Sequence, residues 1–206
     1  MTTPAGRLMA GRSMPAPATR SARVWRLAAG IDTDQLAPGT TMQHGIEATA
    51  AQCLHSVRPD FAAGVRRGDW IVAGADFGIG SSREQAASVL VHLGLAAVIA
   101  PGFAGLYFRN AFNVGLLLLT CPQADQIAEG QAIGIDARAG RITLADGRLL
   151  ACETIPGFLL DMVDAGGLLP LLKAQQNSAH MSANMSARTS ARTSAHNATS
   201  RPEKRR

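Results

Sequence analysis

Three short apolar runs limit what this chain can fold into: residues 69–75 (DWIVAGA), 95–100 (LAAVIA) and 115–120 (GLLLLT). Such runs read as strands buried on both faces, as in a parallel sheet. Segments of helical spacing separate them, at 82–93, closed by Gly94, and at 103–112. The order strand, helix, strand, helix, strand implies parallel pairing through right-handed crossovers. Ahead of this unit, residues 23–28 read as a short strand running into the turn-rich stretch Gly30-Ile31-Asp32-Thr33-Asp34, and residues 47–55 as a short helix. Behind it come a short helix after Pro122, strands at 132–136 and 141–145, and a hairpin turn at Ala145-Asp146-Gly147-Arg148. Residues 158–173 form a Leu-rich helical piece broken at Gly166-Gly167.

The positive charge of the whole chain misleads about its folded part. The formal net charge is +5. Residues 23–175, however, hold 11 basic and 14 acidic residues, a net of −3, so the surplus lies in the two ends. A nucleic-acid protein carries its basic face on the folded domain, and no specific nucleic-acid role is expected here. Residues 1–22 and 176–206 read as disordered tails; in the second, Ser-Ala recurs every fourth residue from Ser178 to Ser194 with no apolar stripe to bury. The folded domain is thus expected at 23–175. A hydrophobic content of 47% is enough for its core. No apolar run reaches the length of a membrane span, and residues 1–22 lack a secretory layout. Cys53, Cys121 and Cys152 lie far apart and form no CxxC pair. That spacing points to a reducing, cytoplasmic location and to no metal site made by this chain alone.

The chemistry concentrates in Phe77-Gly78-Ile79-Gly80-Ser81-Ser82-Arg83-Glu84-Gln85-Ala86, after a predicted strand and at the start of a helix. Ligands bind at the carboxyl ends of strands in open α/β sheets. Gly78 and Gly80 let the backbone approach a ligand closely. Free N–H groups at the helix start hold an anion, Ser81 and Ser82 offer hydroxyls, and Arg83 offers a planar fork for a carboxylate. The plain alternative is a helix cap, because Ser81 and Glu84 have capping-box spacing. A phosphate loop is the weaker reading, since the run is neither GxGxxG nor GxxxxGK[ST].

Three motifs in order decide between these readings. They are Gly30 to Gly39 (GIDTDQLAPG), the Gly-Ser-Ser-Arg-Glu loop, and Ile99 to Leu117 (IAPGFAGLYFRNAFNVGLL). Over residues 23–173 the chain resembles the small subunits of isopropylmalate dehydratases, and more broadly the swivelling domain of the aconitase family. The resemblance implies a three-layer swivelling β/β/α domain with a mainly parallel sheet. It also implies a hydro-lyase that works across a subunit boundary, in leucine biosynthesis. In that family a large subunit carries a [4Fe–4S] cluster on three cysteines and leaves one iron open to a small hydroxy-dicarboxylate substrate. By motif position, Ser81 would be the oxygen that removes a proton α to a carboxylate. Arg83 would bind a substrate carboxylate, with Gly80 and Ser82 beside it. Thr33 and Asp34 match the family's Thr-Asp pair near the site; Asp34 stands evenly between orienting catalytic groups and closing a local Asx-turn, while Asp32 reads as local.

Two departures from the family pattern stand out. Gln85 replaces the usual His, and Pro38-Gly39-Thr40-Thr41-Met42-Gln43-His44 replaces a turn followed by Tyr-Leu. Met42 would line an apolar pocket for an alkyl group, and no Arg in that turn is available for a third carboxylate. The departure in the turn argues against a citrate-type or homocitrate-type substrate, and the resemblance makes isopropylmalate the leading one. A citraconate-type or dimethylmalate-type substrate is the alternative within the class, and a noncatalytic organic-anion-binding module the alternative outside it. His44, His55 and His92 have no ligand spacing, Trp25 and Trp70 read as packing, and Arg109-Asn110 reads as either partner-facing or structural.

Overall fold

The structure, a computed structural model, describes residues 22–178. Four strands, β1 (Val24–Arg26), β2 (Trp70–Val72), β3 (Ala97–Ala100) and β4 (Leu117–Thr120), form a parallel sheet in the order β1-β2-β3-β4. The register pairs Trp25 with Ile71, Ile71 with Val98 and Val98 with Leu118. Every residue of β3 is buried, which is why its sequence is apolar without alternation. The first crossover carries four short helices, α1 (Thr33–Leu36), α2 (Gly39–Met42), α3 (Ile46–Ala51) and α4 (Phe61–Gly64). The second carries α5 (Gln85–His92) and the third α6 (Gly105–Asn113). Strands that follow one another without reversal put their crossover helices on one face, and α1 and α3 do pack on α5, and α5 on α6.

The other layer is antiparallel. Strands β5 (Ile133–Asp136), β6 (Arg141–Leu144) and β7 (Leu149–Ala151) alternate in burial, and Ile142, Leu144 and Leu150 point into the same core as the parallel sheet. The expected hairpin turn closes β6 to β7, with the Leu144 N–H donating to Arg148 O at 2.9 Å and Gly147 at a φ of +85°. Two sheets and one layer of helices give the β/β/α arrangement. The segment after Pro122 is a single 3₁₀ turn (Ala124–Gln126) rather than an α-helix. Its carbonyls are held by Arg26, whose Nη1 donates to Ala124 O, Asp125 O and Ile127 O.

Helix α7 (Gly157–Ala165) ends at Gly166, and helical backbone resumes at residues 168–178. The break has a packing cause: a Cβ on Gly115 would lie 2.7 Å from the Gly166 carbonyl carbon, and one on Gly167 would lie 2.6 Å from Asn113 O. Helical backbone therefore continues three residues past the expected domain end at 175. The remainder of both expected tails, residues 1–21 and 179–206, lies outside the described residues. No helix of the described residues is long and apolar enough to cross a membrane.

Trp25 and Trp70 are packing residues. Trp25 is buried, meets Phe61 edge-on at 5.1 Å and donates from Nε1 to Asp69 Oδ2 at 2.9 Å. Trp70 Nε1 is buried without a partner among the described residues.

Candidate active site

Parallel pairing continues beyond the strand ends and builds the site. Past β1 and β2, Asp32 bridges Ile79, and Phe77 bridges Phe103 just beyond β3. The Gly78 N–H donates to Ile31 O at 2.7 Å and the Thr33 N–H to Ile79 O at 2.8 Å. The Gly-Ser-Ser-Arg loop is thereby stitched to the first turn of α1, at the carboxyl ends of β1 and β2. Gly78 has a φ of +80°, and a Cβ there would lie 2.2 Å from Tyr107 Cγ, so the loop crosses directly over that buried ring.

Ser81 is exposed, and its local partner is Thr33 rather than its own helix. The Ser81 N–H donates to Thr33 Oγ1 at 2.9 Å, and the two hydroxyl oxygens lie 3.2 Å apart. This corrects the capping-box reading of Ser81 and Glu84: α5 starts at Gln85 with no side-chain cap. The capping box of this region is Asp32 with Gln35, whose backbone N–H donates to Asp32 Oδ1 at 2.7 Å while Gln35 Oε1 accepts from the Asp32 N–H at 2.9 Å. The turn-rich stretch at 30–34 thus becomes the start of a helix, and the local reading of Asp32 fits its bonds. Because α5 begins late, residues 81–84 form irregular backbone. The N–H groups of Ser82, Arg83, Glu84 and Gln85 make no hydrogen bond among the described residues. Four open donors in a row beside Ser81 suit an anion.

Arg83 is half-buried and held across the site. Its Nη1 donates to Asp34 Oδ1 and, at 3.1 Å, to Ala37 O. Among the described residues Asp34 closes no local turn; its carboxylate anchors Arg83 from α1, and the other donors of the guanidinium fork take no partner there. Gly39, the first residue of α2, lies against the same guanidinium, since a Cβ there would be 4.0 Å from Arg83 Nη1. Asn110 on α6 fixes the other flank, donating from Nδ2 to Ser82 O at 2.8 Å. The sequence left Arg109-Asn110 open between two roles, and the bond gives Asn110 the structural one.

The structure brings Gly80, Ser81, Arg83, Thr33 and Asp34 together, with Ser82 exposed beside them. Thr33 is 1% exposed, and its hydroxyl lies against Ser81 Oγ. Met42 is half-buried at the last position of α2. Gln85 is exposed at the first position of α5. A cleft of about 310 Å³ lined by Asp32, Asp34, Gln35, Pro38, Gln52, His55 and Ser56 shares Asp34 with this group.

The chain's cysteines do not fit a cluster site. Cys53 and Cys121 are buried, and burial pushes the Cys53 thiol well above its ordinary range. Cys121 and Cys152 are free thiols, and the neighbouring Cys152 draws the Cys121 thiol below its ordinary range against the effect of burial. Among the described residues no three His, Cys, Asp or Glu side chains are grouped to hold a metal ion.

Comparison with known proteins decides the family. The model of the aconitase C-terminal domain matches residues 39–124. The 3-isopropylmalate dehydratase small subunit 1 of Methanopyrus kandleri is 40% identical over 156 residues, which are 74% of this chain and 92% of that protein. The chain belongs to the aconitase family, among its dehydratase small subunits.

Other relatives agree on this family position and differ in substrate name. The 3-isopropylmalate dehydratase small subunit 1 of Thermotoga maritima is 38% identical, covering 73% of this chain and 93% of that one. The methanogen homoaconitase small subunit of Methanothermobacter thermautotrophicus is 39% identical, covering 71% and 86%. The crystal structure of 3-isopropylmalate dehydratase (LeuD) from Methanocaldococcus jannaschii superposes with a TM-score of 0.73 at 34% identity, covering 78% of this chain and 97% of that one. As a dehydratase small subunit of the aconitase family, the chain is part of a hydro-lyase, and the reading as a noncatalytic anion-binding module is not favoured.

Proposed function

We propose that this chain is the small subunit of 3-isopropylmalate dehydratase, and that it supplies the proton-removing oxygen and a carboxylate clamp to a site completed by a large subunit. One observation carries this reading: an exposed Ser81 hydroxyl lies beside four open backbone donors and an Arg83 already fixed by Asp34. In that arrangement Arg83 and the open N–H groups receive a substrate carboxylate, and Ser81 Oγ faces the carbon next to it. A serine is a weak base at its ordinary pKa, so fixed donors and a neighbouring cation must favour its ionised form. A [4Fe–4S] cluster belongs to the large subunit in this reading; what it supplies when bound is Lewis acidity toward the leaving hydroxyl.

The test is reconstitution with a cluster-bearing large subunit, screening isopropylmalate, citraconate, dimethylmalate and homocitrate by the absorbance of the unsaturated product. Isopropylmalate is expected to turn over fastest, with this chain inert alone. A preference for citraconate or dimethylmalate would keep the mechanism and reassign the side-chain pocket. The homoaconitase relative gives homocitrate a specific claim, but the 38–44 turn holds no Arg for a third carboxylate.

Arg83→Lys tests the clamp. Lysine keeps the charge but loses the fork that binds Asp34 and Ala37 O with one nitrogen and leaves others for substrate. Charge-assisted hydrogen bonds contribute roughly 1.5–3 kcal/mol each, so kcat/KM is expected to fall roughly 10- to 100-fold in steady-state assays.

A further inference from the structure

We infer that Thr33 is a positioning residue for the base: its hydroxyl donates to Ser81 Oγ and both aims that oxygen and makes it easier to ionise. The inference rests on Ser81 being the base and adds a second hydroxyl to the mechanism. A threonine hydroxyl has one proton and two lone pairs. One lone pair of Thr33 Oγ1 already accepts the Ser81 N–H at 2.9 Å. The proton then needs an acceptor, and at 1% exposure solvent does not provide one. Ser81 Oγ, 3.2 Å away, is the acceptor within reach among the described residues. The opposite polarity, Ser81 donating to Thr33, would leave a buried O–H unsatisfied, which is the costlier arrangement.

The surroundings hold this geometry in place. Thr33 opens α1, with its N–H on Ile79 O at 2.8 Å. Gly80, with a φ of +105°, lets the loop close against it, since a Cβ there would lie 2.9 Å from Thr33 Oγ1. Charged side chains on the surrounding elements are Arg83 and Glu84 on the loop, Asp32 and Asp34 on the α1 turn, and Arg109 on α6; Asp34 is engaged by Arg83. A neutral donor buried next to Ser81 acts in one direction whatever these charges do: it favours the ionised oxygen.

The experiment uses the reconstituted two-subunit enzyme with Thr33→Val, Thr33→Ser and Thr33→Cys. Thr33→Val keeps the shape and removes the donor. It is expected to lower kcat roughly tenfold or more, to leave KM near its original value, and to move the acidic limb of the kcat–pH profile upward by about one unit, because the base then ionises at higher pH. Thr33→Ser is expected to restore both. If Thr33→Val does not assemble, Thr33→Cys, of similar size with a weak donor, is read in the same way. An unchanged limb in Thr33→Val, or equal losses in the Val and Ser variants with the limb unmoved, overturns the inference. Ser81→Ala run alongside separates the two levels: an active Ser81→Ala removes the base itself, whereas an inactive one beside an unaffected Thr33→Val removes the role of Thr33 alone.

Discussion

Ser81→Ala in the assembled enzyme is expected to lower kcat by roughly 10²–10⁴-fold, the range that a positioned general base contributes, while leaving assembly and KM nearly unchanged. The reason lies in what the hydroxyl does not do. Ser81 caps no helix, and its structural bond to Thr33 runs through its backbone N–H, which alanine retains. The side chain is exposed, so its removal opens no cavity in the core. Loss of the oxygen therefore reaches the chemistry without opening the core, and its structural cost is the acceptor that the buried Thr33 hydroxyl loses, about 1–3 kcal/mol, which the melting curve reads separately from kcat. Single-turnover kinetics with matched melting curves makes the comparison, and a Ser81→Ala enzyme with undiminished kcat would move the base elsewhere.

Gly78→Ala should show the opposite pattern, with a large loss of stability. Its φ of +80° costs an L-residue about 1–2 kcal/mol. The added carbon would meet Tyr107 Cγ at 2.2 Å and Cβ at 2.5 Å, and that ring cannot swing aside because it is buried and packed edge-on to Phe77 at 5.4 Å. Overpacking of this kind adds about 1–3 kcal/mol. At a few degrees per kcal/mol for a domain of this size, the melting temperature should drop roughly 5–15 °C. Gly102→Ala is the control: nothing lies within 4 Å of its added carbon and its φ is not positive, so it should stay within about 0.5 kcal/mol of the parent. Because the Gly78 N–H also ties the loop to Ile31 O, any folded Gly78→Ala protein should carry a displaced Ser81 and reduced kcat.

What could be read from the sequence follows the reach of each interaction. The buried runs that became β2, β3 and β4 were legible because a strand covered on both faces leaves an unbroken apolar signature. The site loop was legible as a motif at a strand end. Its internal wiring was not. Ser81 and Glu84 satisfied a spacing rule, yet Thr33, 48 residues away, took the Ser81 N–H. The rule itself held elsewhere, at Asp32 and Gln35, inside a stretch too short to show helical periodicity before α1 is seen. Likewise the sequence left Asp34 evenly between a catalytic and a local role and did not give its partner, because nothing within a few residues signals an arginine 49 positions later.

The ion pair between α1 and the loop after β2 also bears on how two polypeptides come together. Orienting a long, flexible side chain at an interface costs entropy when that ordering happens on contact. Here Asp34 and Ala37 O hold the Arg83 guanidinium within the single chain. In the proposed two-subunit site, that loss of freedom is taken during folding and is not left to be lost on association.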